Sequence, residues 1–113
     1  MMRLTYLAHS GCLLELDSLC LLFDWWKGEL PPLPDKPLLV FASHAHSDHF
    51  TPAIFALDDG SRDVNFLLGH DIHLSPSRRE KWGVSDATAA KCTRMHGNER
   101  LELPGVTIET LPS

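Results

Sequence analysis

The chain has 113 residues, 43% hydrophobic and 22% charged, with a formal net charge of -5 and a pI near 5.7. That is enough for one globular domain with a real core, and its acidic balance with no basic stripe argues against nucleic acid as a partner. No apolar run reaches the length of a membrane span, and polar residues interrupt the stretch where a secretory leader would be continuous, so a cytoplasmic protein is expected.

The first half reads as β-rich. "RLTYLA" (3–8) alternates modestly and ends in the turn-like "HSG". "CLLEL" and "LCLLFDW" flank Asp17-Ser18. A two-residue turn there pairs Leu16 with Leu19, Leu14 with Leu21 and Cys12 with Phe23, which gives one wholly apolar face. The other face pairs Leu13 with Leu22 and Glu15 with Cys20, and is expected to be partly buried. In that register Cys12 and Cys20 do not meet. The three cysteines, which include Cys92 and form no C-x-x-C spacing, therefore read as buried free thiols.

"KGELPPLPDKP" (27–37) carries four of the eight prolines and reads as a surface connection. "LLVFAS" (38–43) is continuously apolar, as expected of a strand covered on both faces. The segment "SHAHSDHF" follows at once, then Thr51 and Pro52 as the cap and first position of a short helix, "AIFAL", ended by Asp58-Asp59-Gly60. "DVNFLLG" (63–69) predicts a strand, "SPSRREKWG" a helix capped by Ser75 and stopped by Gly83, and "SDATAAKC" a second helical piece. "ERLELPG" and "VTIETL" predict a final strand pair around Pro104-Gly105. Together these segments predict an α/β fold, with a polar loop placed directly after a buried strand, where such folds carry chemistry.

Three histidines and an aspartate fall within residues 44–49. In an extended segment side chains at i and i+2 share a side, so His44 and His46 can present two imidazoles to one point. Asp48 continues the series, and a bend toward Thr51 would aim Asp48 and His49 at a second point. Two imidazoles for one ion, and a carboxylate with an imidazole for another, suit zinc and tolerate iron or manganese. His70 and His73 in "HDIH", and His96 in "RMHGNE", read as ordinary loop residues. Trp25-Trp26 fits either a lip over a cleft or a packed strand end. No nucleophile elbow, phosphate loop or Cys–His pair is present, so covalent catalysis has no candidate.

H-x-H-x-D-H after a strand, with "LTYLAHSGCLLEL" and "LLFDWW" before it, resembles the metallo-β-lactamase superfamily. Within it, these stretches are similar to the branch of ascorbate-phosphate lactonase-like and other metal-dependent hydrolases. The resemblance runs from about Arg3 to the end of the chain. It implies the first half of an αβ/βα sandwich holding two divalent ions, zinc first, with iron or manganese as alternatives. His44 and His46 would bind one ion, and Asp48 and His49 the other. Asp48 would also orient a metal-activated water that attacks an ester, lactone, amide or phosphodiester bond of a small-molecule substrate. Asp24 would brace the histidine loop, and His9 would lie near the cleft, beside a ligand or the substrate.

The family draws a further histidine, a bridging aspartate and a last histidine from its second half. This sequence ends at "VTIETLPS", before those positions. Residues 1–113 are therefore expected to be a single domain truncated after its first half, with weak metal retention and little or no activity alone. An exposed sheet face would invite a homodimer, and a non-catalytic metal-binding half-domain is the alternative function.

Overall fold

The structure is a computed structural model that describes residues 2–7, 11–27, 30–45, 50–97, 99–103 and 106–109. Its centre is a six-stranded mixed sheet in which the strands lie side by side in chain order. The first three, β1 (Arg3–Tyr6), β2 (Cys12–Glu15) and β3 (Cys20–Phe23), form an antiparallel meander. The next three, β4 (Leu38–Ala42), β5 (Val64–Gly69) and β6 (Cys92–Met95), continue parallel to β3. A separate antiparallel pair, β7 (Arg100–Leu103) and β8 (Val106–Glu109), completes the described strands.

The β2–β3 register is the expected one: Cys12 faces Phe23, Leu13 faces Leu22, and Glu15 faces Cys20. The relative burial of the two faces is a correction. Leu13, Cys20 and Leu22 are almost wholly buried and belong to the larger of two cores, with Val40, Phe66 and Leu68 from the neighbouring strands. That core is covered by a 3-10 helix (Pro52–Leu57), α1 (Pro76–Trp82) and α2 (Asp86–Ala89), through Ile54, Phe55 and, in part, Trp82 and Ala89. The all-apolar face of Leu14, Leu21 and Phe23 meets Leu39, Phe41 and Leu67 in a smaller core. Leu101, Val106 and Ile108 of β7 and β8 pack against it. Strand β4 is buried on both faces, which is why its sequence is a continuous apolar run; β5 is buried apart from the exposed Asn65 near its start and the partly buried Gly69 at its end.

The helix signals act as their chemistry requires. The Thr51 hydroxyl accepts from the Ala53 amide, and Pro52 opens the 3-10 helix. Ser75 accepts from the Arg78 amide, Pro76 opens α1, and Gly83 at φ 67° ends it in the left-handed conformation that glycine adopts without penalty. The second helical piece is shorter than expected. Ala90 ends α2, and Cys92 begins β6, a strand the sequence reading missed. "CTRM" offers no apolar alternation to read, since its two central residues, Thr93 and Arg94, point to opposite faces and are both exposed at the end of the described sheet. The expected surface connection is tied down by Lys36, which donates to the Leu16 carbonyl, and Arg62, which donates to the Pro34 carbonyl. All three cysteines are free thiols, but only Cys20 is fully buried; Cys12 and Cys92 are half-buried.

Candidate metal centre

In a parallel sheet every strand delivers its carboxyl end to the same edge, and that edge is where α/β folds bind ligands. Here β3 brings Asp24 to it, β4 brings Ser43 and His44, β5 brings Gly69, His70 and Asp71, and β6 brings His96. A cavity of about 320 Å³ opens at this edge. Its floor is Phe23, Phe41, Leu67, Met95 and Ile108, and its rim includes Asp24, His44, His70 and His96. Phe23 and Phe41 face each other across β3 and β4 with stacked rings, 4.5 Å between centroids.

His44 is held by a relay. The Ser43 amide donates to Asp24 Oδ1 at 2.7 Å, and the Ser43 hydroxyl donates to Asp24 Oδ2 at 2.7 Å. Ser43 Oγ also lies 3.0 Å from His44 Nδ1. A carboxylate only accepts, so the single hydroxyl hydrogen goes to Asp24, and Nδ1 must be the donor to Oγ. In the neutral ring that order places the proton on Nδ1 and the lone pair on Nε2, the tautomer a metal ligand needs. The donor chemistry therefore fits a divalent ion on Nε2 of His44.

Asp24 occupies φ 45°, and its amide donates to the Phe41 carbonyl at 2.9 Å. Left-handed backbone costs a side-chain-bearing residue about 1–2 kcal/mol, though aspartate and asparagine are the ordinary residues that tolerate it. The conformation turns the carboxylate back over the end of β4.

On the opposite flank the Ala45 amide donates to Asp71 Oδ2 at 3.0 Å. Asp71 Oδ1 is buried, with no hydrogen-bond partner among the described residues. Burial pushes the Asp71 carboxyl up, but the amides of Ala45 and of Asp71 itself, with His44 and His70 nearby, hold it below its usual range. Burial, with Asp24 as a second cause, pushes the Cys12 thiol up.

Of the residues expected at the site, Asp24 and His44 stand together at the strand edge. His9, His46, Asp48 and His49 lie outside the described residues. Among the described residues no cluster of three or more His, Cys, Asp or Glu side chains could hold a metal. His70 and His96, read from sequence as unrelated loop residues, stack at 5.2 Å on the rim of the same cavity. Trp25 packs against the larger core, the packed strand end rather than the lip. Asp71 was missed altogether. The only signal for it was a carboxylate two residues past a buried strand.

No protein-family model matches the chain. It is similar to a UPF0173 metal-dependent hydrolase of Opitutus terrae, 50% identical over 58 residues. That match takes in 47% of this chain and 26% of the relative, so the similarity spans about a quarter of the relative's length. Among the described residues no helix is long and apolar enough to cross a membrane.

Proposed function

We propose that this chain carries the metal-binding half of a metal-dependent hydrolase built on the metallo-β-lactamase fold. The observation that supports this best is the Asp24–Ser43–His44 relay, which sets one histidine of the H-x-H-x-D-H segment in the metal-ligating tautomer at the carboxyl edge of a parallel sheet. The similarity to a metal-dependent hydrolase points the same way. His44 and His46 would hold one ion, and Asp48 and His49 a second, with zinc first and iron or manganese suited to the same donors. When bound, such an ion would supply polarisation of the scissile bond and a water acidic enough to attack near neutral pH. Asp48 would orient that water, Asp24 steadies His44 through Ser43, and His9 would lie near the cleft. The apolar floor of the cavity would seat the body of a small ester, lactone, amide or phosphodiester.

Two protein donors per ion fall short of the three that a catalytic zinc ordinarily keeps beside its water. Further donors must come from another part of the protein or another copy, so the 113-residue chain alone should hold metal weakly and turn over slowly. The free thiols fit a reducing, cytoplasmic compartment. Elemental analysis of the purified chain, with hydrolysis of nitrophenyl ester and phosphodiester probes before and after chelation, tests the reading. Sub-stoichiometric zinc, iron or manganese that co-purifies and is lost in a His44→Ala/His46→Ala variant is expected. Equal metal in both proteins would refute it.

A second reading, a non-catalytic half-domain that works by assembling with a copy of itself, is favoured by the edge strand β1. Met2, Leu4 and Tyr6 are 69%, 66% and 69% exposed. Leu4 and Tyr6 pair with Leu14 and Cys12, on the sheet face that β7 and β8 cover only in part. Light scattering should then give a dimer that Leu4→Glu with Tyr6→Glu returns to a monomer. A monomeric parent protein would rule this reading out.

A further inference from the structure

We infer that Asp71 is a positioning residue for the histidine loop, setting the direction of His44 through the Ala45 amide and so tuning metal affinity. The inference rests on the metal reading above.

The two carboxylates that grip the loop come from opposite flanks of β4: Asp24 follows β3, and Asp71 follows β5. In a regular strand the amides of residues i and i+2 point to the same side. Here the Ser43 amide goes to the β3 flank and the Ala45 amide to the β5 flank. The backbone therefore rotates between them, and His44 is the residue pinned between two fixed peptides. The Asp71 carboxylate holds this twist at the Ala45 amide.

Asp71 is itself well anchored. The next residue, Ile72, is 1% exposed, and its amide donates to the Gly69 carbonyl at 3.0 Å. Gly69 has no room for a side chain, because a Cβ there would come within 2.0 Å of the Ser43 carbonyl oxygen. The end of β5 thus lies directly against the loop backbone, which brings Asp71 within reach of Ala45. Its buried Oδ1, without a partner among the described residues, keeps capacity for one more donor. A ligand loop fixed at two peptides before the ion arrives binds with less ordering cost than one fixed at a single peptide.

The test is the zinc dissociation constant, by competition with a chromophoric chelator, for the parent chain, Asp71→Ala, Asp71→Asn and His44→Ala. Ala45 amide exchange in the metal-free proteins is measured alongside. Asp71→Ala should weaken zinc about 10- to 100-fold, the usual effect of removing a partner that orients a ligand, and should speed Ala45 exchange. Asp71→Asn keeps an acceptor oxygen and should stay close to the parent in both. Asp71→Ser, too short to reach Ala45, carries the same prediction as alanine should the alanine variant not fold. Zinc binding that His44→Ala abolishes but Asp71→Ala and Asp71→Ser leave untouched would overturn this inference alone. A parent chain that binds no zinc, or binds it regardless of His44, would remove the metal reading and the inference with it.

Discussion

At the scale of single residues, the position of one hydrogen decides what His44 can do. Asp24 accepts both the amide and the hydroxyl hydrogen of Ser43, and this leaves Nδ1 of His44 as donor and Nε2 with the lone pair. Asp24→Asn is the sharpest probe, because asparagine tolerates the φ of 45° nearly as well and keeps one acceptor. Its amide group would donate to Ser43 Oγ, the hydroxyl would then donate to Nδ1, and the ring proton would move to Nε2. Metal affinity should fall about 10- to 100-fold with little loss of stability, and nitrogen NMR shifts of His44 should report the exchanged tautomer. An unchanged tautomer would show that Ser43 does not transmit the charge. Asp24 could be singled out in the sequence because it closes an apolar strand run and matches an aspartate that the family resemblance implies. Ser43 could not, since its role depends on β3 and β4 lying in parallel register. Asp71 was hidden for the same reason, with 26 positions separating it from Ala45.

At the scale of elements, a part-buried ion pair ties the helical layer to the sheet. Asp58, at the end of the 3-10 helix, accepts from Lys91 at 2.9 Å and from the Thr88 hydroxyl at 2.8 Å. The Asp58 side chain is only 8% exposed. The Lys91 hydrogen bond, more than the Thr88 one, holds its carboxyl below the usual carboxylate range against the opposing effect of burial. A carboxyl whose pKa is lower folded than unfolded stabilises the fold above its unfolded value, and that contribution fades as pH falls through the folded value. Asp58→Asn should therefore cost about 2 kcal/mol at neutral pH, and the gap to the parent protein should close below about pH 4. A gap that persists in acid would assign the loss to shape rather than charge. Beside this pair, burial more than the charge of Asp58 pushes the Cys92 thiol up to about 11, an inert sulfur. The caps and the β2–β3 register were legible because each is written in adjacent residues. Strand β6 was not, because its place comes from pairing with β5 rather than from its own pattern.

At the scale of the molecule, the sheet has two apolar faces of unequal standing. One is closed by three short helices, and the other is only partly covered by the β7–β8 hairpin, with the cavity at the carboxyl edge between them. The α/β class and the mixed sheet with short helices could be read from the order of apolar runs and turn signals. The cavity could not, since its lining comes from five strands that meet only in three dimensions. The metal centre proposed at this edge is organised around His44. The most direct measurement is a calorimetric zinc titration of the metal-free chain beside His44→Ala, with circular dichroism to show that both are folded. Saturable zinc binding by the parent chain, lost or weakened about 100-fold in His44→Ala, is the predicted result. Equal binding by the two folded proteins, or none by either, would contradict the account.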